Sequence, residues 1–342
     1  GVANDHSIAW GIARALRDSG VHVIYSGLWQ TPRSLSISAR DEDCDLIAAS
    51  MMSNSHLVLG PRLVDGLGAV GRPDIPVHMG GILPVEDIPK LKEMGVARCF
   101  PTGTGLLEIV EAIRTEVGPR AETVSEHATA QLARDISLAH GGAAVREGAR
   151  RRRPRRVIGL TGSPGAGKST LVAAPDASLG RIAVVAFDPM SPITHGALLG
   201  DRLRVDFNRL EEKVFYRSLA IGGEDYHALD DVIELIGGAV EGDDRFDTVF
   251  VETVGVGQNE TEIRKHVDVT AVVLVPGMGD AVQMDKAGIL EIADLFVCNK
   301  ADNPGENELV RDLRDIAGKR AIVETIATQS KGVPELLDAL LA

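Results

Sequence analysis

Short apolar runs alternate with amphipathic segments along the first third of the chain. The apolar runs are Val21–Tyr25, Leu46–Ser50, Ile75–Met79 and Ala97–Phe100, and the segments between and after them include Pro61–Val70, Pro84–Met94 and Leu106–Val117. Such alternation predicts β-α units in a parallel, doubly wound sheet. We therefore expect residues 1–118 to form a first α/β domain. Gly1–Asn4 resembles a strand-to-helix loop, so the chain is expected to be a fragment.

The pattern changes over residues 119–156 and then returns. This stretch contains a polar, Ala-rich helical segment from about Val124 to His140, followed by the basic run 150–156. We interpret it as an interdomain linker, whose basic run is either a contact for an anionic partner or, the favoured interpretation, a solvated surface. The later apolar runs predict a second α/β domain over residues 157–342: Val157–Thr161, Ile182–Phe187, Thr248–Glu252, Ala271–Val275, Leu295–Asn299 and Ala321–Thr325.

Composition narrows the function classes. The chain has 342 residues, enough for two domains, and its net charge of −13 argues against a nucleic-acid partner. Cys44, Cys99 and Cys298 lack the paired spacing of a zinc site or a disulfide framework, which favours a reducing compartment. No apolar run approaches the roughly 18 residues that a spanning helix needs. We expect a cytoplasmic protein without a membrane partner.

The run after the strand Val157–Thr161 fits the P-loop pattern G-x-x-x-x-G-K-[ST]. Its glycines let backbone N–H groups converge on phosphate oxygens at the start of a helix, Lys168 reaches the β- and γ-phosphates, and Ser169 can bind Mg²⁺. A chance glycine-rich turn would lack the flanking strand and helix. The predicted phosphate-binding residues are Gly162, Ser163, Gly165, Ala166, Gly167, Lys168, Ser169 and Thr170.

A second motif indicates the base. Asn299, Lys300 and Asp302 form N-K-x-D at the end of a predicted strand. An Asp carboxylate can accept hydrogen bonds from both N1–H and the exocyclic amine of guanine, a donor pair that adenine lacks. The order of the two motifs predicts a GTP/GDP site, and Thr328–Lys331 suits a loop that closes over the base.

Acidic residues follow two of the predicted strands. Asp188 and Glu252 end their strands, and Glu252 precedes a glycine-containing segment that reaches Gln258. Carboxylates at these positions can hold Mg²⁺ and its waters, while the glycines let the segment move when the γ-phosphate leaves. Helix capping is the alternative role, particularly for Asp188. We expect Lys168, Asp188, Glu252 and Gln258 to be the catalytic residues.

Residues 157–332 closely resemble the MeaB-type GTPases, G-protein chaperones of cobalamin-dependent acyl-CoA mutases. The resemblance is carried by Asp188–Pro192, Gly196–Arg202, Val251–Gln258, Leu274–Asp294 and Asn299–Asp302. It implies that Ser169, Asp188, Asp201 and Glu252 are Mg²⁺ ligands or contacts. It also implies that Asp280, Gln283 and Lys286 form a switch that reports the nucleotide state to the mutase, although their spacing equally suits a solvated helix face.

Residues 17–118 resemble the flavodoxin-like cobalamin-binding domain of methylmalonyl-CoA mutase. The similar stretches are Val23–Pro32, Ser50–Leu57, His78–Pro84 and Gly95–Gly103. The resemblance implies that Ser53, Gly80 and Gly81 line a channel for the nucleotide tail of cobalamin. His56 is expected to be structural or to contact that tail. The domain order is similar to the front half of fused isobutyryl-CoA mutases.

The start of the chain departs from this family. The family carries D-x-H-x-x-G, with the His as cobalt ligand, where this sequence reads Asn4–Ala9. His6 is therefore either the cobalt ligand or an ordinary loop histidine. Residues 1–16 instead resemble enoyl-ACP reductases, which leaves an NAD-dependent reductase as a minor alternative. Tyr25, Tyr216 and Tyr226 have no Lys within seven residues downstream, which argues against that activity.

The favoured function is a GTP-hydrolysing chaperone module with a cobalamin-binding domain, serving an adenosylcobalamin-dependent acyl-CoA mutase. Its expected partner is the substrate-binding subunit of the mutase, without which the chain should not isomerise anything. A second copy of the chain, in a homodimer, is the other partner considered. The alternative is a non-hydrolysing, nucleotide- and cobalamin-binding scaffold. This alternative is motivated by an abbreviated domain, in which Pro175 is expected to break the helix after the P-loop.

Overall fold

The computed structural model describes residues 2–117, 125–172, 181–199, 213–221, 226–241, 244–253, 262–276 and 290–342, with the side chains of residues 2–7, 189, 240, 241 and 244 left outside the description. The chain divides into two compact units. The first unit consists of Gly1–Ala149 and Met190–Leu203, and the second consists of Arg150–Pro189 and Arg204–Ala342. Each unit has its own sheet and apolar core.

The described strands and helices are numbered along the chain. The strands are β1 His22–Ile24, β2 Ile47–Met51, β3 Val77–Gly81, β4 Arg98–Pro101, β5 Arg156–Thr161, β6 Arg181–Pro189, β7 Ala197–Leu199, β8 Val214–Ile221, β9 Val240–Glu241, β10 Asp244–Thr253, β11 Val269–Leu274, β12 Leu295–Asn299 and β13 Ala321–Thr325. The helices are α1 Val2–Asp18, α2 Pro32–Asp41, α3 His56–Ala69, α4 Ile88–Glu93, α5 Leu106–Glu116, α6 Ala128–His140, α7 Lys168–Val172, α8 Leu229–Gly238, α9 Glu306–Ala317 and α10 Val333–Leu341.

The first unit contains a parallel three-stranded sheet in the order β2-β3-β4. Its core consists of side chains from these strands and from the helices that cover them, including Leu63, Leu67, Val77, Met79 and Leu91. Helix α2 begins at a capping box in which Thr31 and Ser34 satisfy each other's backbone N–H groups. Strand β1 pairs in parallel with β7 in a separate two-stranded ladder.

The second unit is built on a sheet with parallel strand order β13-β12-β11-β5-β10-β6-β8, to which β9 adds antiparallel to β10. The central strands β5, β11 and β12 are almost wholly buried along their length. Continuous apolar strands of this kind are typical of parallel sheets that are covered on both faces. The carboxyl ends of the parallel strands lie at one edge of the sheet, which is where ligands bind in such folds.

The α/β fold class is confirmed, and each predicted strand has a counterpart within a few residues. Three features differ from expectation. The chain is helical from Val2, so the predicted loop at Gly1–Asn4 is wrong. Strand β1 joins β7 rather than the sheet β2-β3-β4, and β7, β8 and β9 were not predicted.

The basic run is docked rather than freely solvated. Within the second unit, its side chains form partly exposed ion pairs, which are Arg151 with Asp231, Arg152 with Asp247 and Arg153 with Asp268. The backbone N–H of Arg152 also donates to Glu234 O at 2.9 Å. Acidic side chains of the same unit therefore meet this run, a pairing that its local sequence did not indicate.

Candidate nucleotide and cobalamin sites

The predicted phosphate loop lies between β5 and α7, at the carboxyl edge of the second unit's sheet. Its first glycine is fixed by space and by backbone conformation. Gly162 has φ +136°, and a Cβ at that position would lie 2.1 Å from Val273 O in β11. A larger residue would force the loop away from the neighbouring strand. The sequence pattern therefore has a steric cause at this position.

The last glycine of the loop faces the second motif. A Cβ on Gly167, which has φ +90°, would lie 2.4 Å from Asn299 Nδ2. Asn299 is buried at the end of β12 and donates from Nδ2 to Ala166 O at 2.8 Å. Its Oδ1 accepts from Thr325 Oγ1 at 3.0 Å and from the N–H of Ala327 at 3.3 Å. The structure thus joins the two predicted motifs directly.

Lys168 and Ser169, which follow the last glycine of the loop, are buried and oriented by hydrogen bonds. Lys168 Nζ donates to Gly162 O at 2.7 Å and to Ser163 O at 3.2 Å, so the ammonium group lies across the loop. Ser169 Oγ donates to Glu252 Oε1 at 2.9 Å. The hydroxyl and the carboxylate predicted to serve Mg²⁺ are therefore neighbours, which suits oxygen coordination of a hard cation.

Asp188 lies on the strand next to the one that carries Glu252. It is buried near the end of β6, and β6 is adjacent to β10, which carries Glu252. No group of three or more His, Cys, Asp or Glu side chains suited to a metal ion was found within the described part of the chain. Ser169, Glu252 and Asp188 are therefore carried by elements that end at the same edge of the sheet.

The predicted base-binding residues flank the loop on the other side. Lys300 adopts φ +55° and donates from Nζ to Gly165 O at 3.0 Å. Asp302 is exposed, so its carboxylate is accessible to a ligand. The Thr328–Lys331 loop is closed by an antiparallel bridge between Ile326 and Lys331. The two predicted motifs therefore lie side by side, joined by the hydrogen bonds from Asn299 and Lys300 to the loop.

A buried thiol lies directly before Asn299. Burial, together with the carboxylates of Glu324 and Glu306, raises the pKa of Cys298 to about 12. A thiol of that acidity is neutral and unreactive at ordinary pH. Its role is to fill the core behind the base motif.

The candidate tail-binding residues of the first unit lie at neighbouring strand ends. Gly80 and Gly81 end β3, and Ser53 follows β2. Gly81 has φ +112°, and a Cβ there would lie 2.1 Å from Met51 O. Thr102 Oγ1 donates to Gly81 O at 3.1 Å and ties the end of β4 to this turn. Gly81 is therefore required by the close approach of the neighbouring strand β2.

The two candidate histidines have different settings. His6 is within helix α1, so the description of it as a loop residue is wrong, and its side chain lies outside the described atoms. His56 is buried at the start of α3, and its Nε2 is 3.1 Å from Asp87 Oδ2. Hydrogen bonds from His56 and then Lys90 lower the pKa of Asp87. The contact supports a structural role for His56.

Five predicted site residues and one predicted helix breaker lie outside the described part of the chain, namely Asp201, Gln258, Asp280, Gln283, Lys286 and Pro175. Sequence reasoning also missed residues that shape the site. Thr325 is buried and orients Asn299, but a threonine at the end of an apolar strand carries no distinctive signal. Thr161 and Thr253, linked by a 3.3 Å hydrogen bond between β5 and β10, were missed for the same reason.

Comparison with known proteins assigns both parts of the chain. Residues 143–341 match the model of the methylmalonyl-CoA mutase-associated GTPase MeaB, and residues 8–111 match the B12-binding domain. A putative GTPase of Pyrococcus abyssi is 43% identical over 203 residues, which cover 54% of this chain and 61% of that protein. GTPase ArgK of Escherichia coli is 42% identical over 160 residues, which cover 44% of this chain and 45% of that protein.

A third relative spans both units. The fused isobutyryl-CoA mutase of Cupriavidus metallidurans is 31% identical over 333 residues, which cover 88% of this chain but 30% of that protein. The chain thus spans about three fifths of the Pyrococcus abyssi GTPase and under a third of the fused mutase. No helix among the described residues is long and apolar enough to cross a membrane. The chain belongs to the MeaB family of mutase-associated GTPases and carries a B12-binding domain ahead of its GTPase domain.

Proposed function

We propose that the chain binds and hydrolyses GTP and serves an adenosylcobalamin-dependent acyl-CoA mutase of the methylmalonyl- or isobutyryl-CoA type. The observation that carries the nucleotide part is the hydrogen bond from Asn299 to Ala166, which joins the base motif to the phosphate loop. Asp302 selects guanine by accepting from its N1–H and exocyclic amine. In the presence of nucleotide, Lys168 turns from the carbonyls of Gly162 and Ser163 to the phosphates.

The proposed chemistry is phosphoryl transfer to water. Mg²⁺ would be held by Ser169, with Asp188, Asp201 and Glu252 contacting the ion or its waters, and would neutralise charge on the phosphates. The protein's contribution is positioning: the loop amides and Lys168 hold the phosphates, and Gln258 is the candidate that orients the attacking water. Asp280, Gln283 and Lys286 are the proposed switch toward the mutase.

The first unit is proposed to carry the cobalamin. Ser53, Gly80 and Gly81 would accommodate the nucleotide tail, and His6 is the candidate cobalt ligand. The acyl-CoA substrate would be bound by a separate subunit of the mutase, which is the proposed partner. The proposed domain limits are 1–118, 119–156 and 157–342, and the proposed setting is cytoplasmic, with a homodimer as one assembly.

Nucleotide titration tests the first part. We expect saturable binding of GTP and GDP, weak binding of ATP, and phosphate release from GTP that Lys168→Ala abolishes. Asp302→Asn should shift preference from guanine toward xanthine nucleotides, because the amide donates where the carboxylate accepted. Tighter binding of ATP than GTP would disprove the base assignment. Binding without phosphate release would instead identify the non-hydrolysing scaffold.

Cobalamin binding is tested separately by absorbance spectroscopy. The chain mixed with cobalamin is expected to show a base-off, His-ligated spectrum that changes in His6→Ala. Gly81→Val should reduce binding, since Gly81 has no room for a side chain. An unchanged spectrum with His6→Ala would remove His6 from the site, and no binding by the unaltered chain would overturn the cobalamin proposal.

A further inference from the structure

A buried row of side chains crosses three strands of the second unit where they reach the candidate nucleotide site. The strands are β5, β10 and β6, which are adjacent and parallel, and each member of the row is the sequence neighbour of a predicted site residue. The row consists of Thr161, Thr253 and Phe187, and the site residues next to them are Gly162, Glu252 and Asp188. Thr253 is in register with Phe187, and both threonines are at most 2% exposed.

The row and the acidic site residues lie on opposite faces of the sheet. Successive side chains of a strand alternate between its two faces. Glu252 is in register with Leu160 and with Ala186, and both of these belong to the apolar core that also contains side chains of α7. Glu252 and Asp188 therefore point toward α7, whereas Thr253 and its row point away from it.

A pair of hydroxyl groups ties β5 to β10 within this row. Thr253 Oγ1 donates to Thr161 Oγ1 at 3.3 Å. On the other side of Thr253, the ring of Phe187 packs edge-to-face against Tyr226, with ring centroids 5.0 Å apart. A buried hydroxyl costs free energy that a valine of similar shape would not, unless the hydroxyl is hydrogen-bonded. Apolar packing of the sheet alone therefore does not account for two threonines at these strand ends.

We propose that Thr253 is a positioning residue of the magnesium site. Its hydrogen bond to Thr161 fixes the end of β10, and with it the carboxylate of Glu252, relative to the phosphate loop. The inference rests on the proposed GTP and Mg²⁺ function. Magnesium requires ligand distances of about 2.0–2.1 Å in near-octahedral geometry. Ser169 Oγ is already 2.9 Å from Glu252 Oε1, and a small shift of β10 would separate the two groups. Thr253 acts through Glu252 and lies on the face away from the ion.

Magnesium-dependent nucleotide binding by the full chain tests this role. A fluorescent, non-hydrolysable GTP analogue is titrated in the presence of a chelator, and its binding is then followed as Mg²⁺ is added. Thr253→Val removes the hydroxyl and keeps the shape of the side chain. We expect the half-saturating Mg²⁺ concentration to rise about fivefold, as for the loss of one net hydrogen bond, with the Kd in chelator within about twofold of that of the unaltered chain. General damage to packing would instead weaken binding in both conditions.

Three companion variants separate the hydroxyl pair from packing. Thr253→Ser keeps the hydroxyl and should retain the magnesium dependence of the unaltered chain. Thr161→Val removes the other half of the pair and should reproduce the effect of Thr253→Val, with no further rise in the double variant; it also measures the same hydrogen bond if Thr253→Val does not fold. Thr270→Val is the matched control, because Thr270 is fully buried in β11 of the same sheet, in register with Gly159 and away from the strand ends that carry the site.

The results distinguish this role from the proposed function. Equal half-saturating Mg²⁺ concentrations in Thr253→Val, Thr161→Val and Thr270→Val would overturn the positioning role alone. Nucleotide binding by the unaltered chain that Mg²⁺ does not strengthen would overturn the magnesium site, and the positioning role with it. Absence of nucleotide binding by the unaltered chain would overturn the proposed function as a whole.

Discussion

A single buried amide organises the candidate nucleotide site. Asn299 hydrogen-bonds the phosphate loop through Ala166 and the end of the last sheet strand through Thr325. Gly167 leaves the space that this amide occupies. The two short motifs are therefore parts of one packed arrangement, and a change at either one reaches the other.

Removal of this amide should weaken nucleotide binding, because it takes away the hydrogen bonds that join the base motif to the phosphate loop. Asn299→Ala leaves Ala166 O and Thr325 Oγ1 without these contacts, and losing buried hydrogen bonds costs about 1–3 kcal/mol. If about 1.4 kcal/mol of this appears in binding, the Kd for GDP rises about tenfold. A titration with fluorescent GDP measures the change. Asn303→Ala, in the exposed turn that follows, should leave the Kd unchanged, and equal Kd values for both variants would contradict this account.

Cys298 should be inert in the folded protein. It is fully buried, and a pKa of about 12 keeps it as a neutral thiol at pH 8. A thiol reagent at that pH should leave Cys298 unmodified until denaturant is added, as peptide mass spectrometry would show. Cys44 and Cys99 are only partly buried and serve as internal references. Modification of Cys298 at their rate would indicate that β12 opens readily.

Helix α6 is held to the first unit by buried charges rather than by apolar contacts alone. Asp43 is wholly buried, with Arg72 Nη1 at 2.9 Å and Arg134 Nε of α6 at 2.9 Å from its carboxylate. A buried carboxylate that loses one partner retains its desolvation penalty without full compensation. The helix is therefore fixed in position by its pairing with Asp43.

Arg134→Met should lower the free energy of unfolding of the first unit by about 3 kcal/mol. This value is at the lower end of the range for breaking a buried ion pair, because Arg72 still contacts Asp43. Urea denaturation followed by circular dichroism measures the loss. The matched change Arg311→Met alters a side chain that is 72% exposed and should have little effect. Equal stability of the two variants would show that α6 is not anchored by this ion pair.

The pairing of β3 with α5 predicts a pH dependence. His78 of β3 is buried, with Nε2 2.5 Å from Glu116 Oε2 of α5, and burial lowers its pKa below the ordinary 6.5 despite the opposing effect of Glu116. The unfolded chain therefore binds a proton near pH 6.5 that the folded chain does not yet bind. The free energy of unfolding should fall as pH decreases from 6.5 toward the folded pKa, by at most about 1.4 kcal/mol per pH unit for this one proton.

The variant His78→Gln isolates this contribution. Glutamine can still donate to Glu116 but does not titrate. The free energy of unfolding of the variant should therefore depend less steeply on pH between 6.5 and 5.5 than that of the unaltered chain. The lowered pKa of Asp87 acts in a different window, because its stabilising contribution is lost only as pH falls through the still lower folded pKa of that carboxyl. Urea titrations at several pH values compare the slopes. Parallel slopes for both proteins would exclude His78 as the titrating group.

The local pattern of apolar and polar residues predicted those strands whose own sequence marks them as buried. The strands Val157–Thr161 and Leu295–Asn299 are continuous apolar runs, and the structure places β5 and β12 there. Strand β7 has only three residues and depends on distant β1, so no local signal exists for it. Likewise, motif spacing alone was enough to name candidate site residues such as Lys168 and Asn299, whereas the contact of Thr325 with Asn299 depends on tertiary packing.

At the scale of the molecule, the chain passes between its units more often than the sequence suggests. Residues 150–156 lead into the second unit, and residues 190–199 lead back to the first. Within the second unit, residues 150–156 are held by close backbone packing against helix α8 as well as by ion pairs. A Cβ on Gly238 of α8 would lie 2.1 Å from Arg150 O, and one on Gly237 would lie 2.3 Å from Arg152 O.

This docking should protect a basic run that trypsin would otherwise cut. Exposed ion pairs are worth little singly, at most about 1 kcal/mol each, so the backbone fit over Gly237 and Gly238 is expected to dominate the protection. Gly238→Ala should push the run outward and accelerate cleavage between residues 150 and 156, separating residues 1–149 from the remainder in a time course on a denaturing gel. Gly68→Ala, where the added methyl meets open space, should match the unaltered chain. If Gly238→Ala were cut no faster than Gly68→Ala, the side-chain pairs with Asp231, Asp247 and Asp268 would hold the run instead.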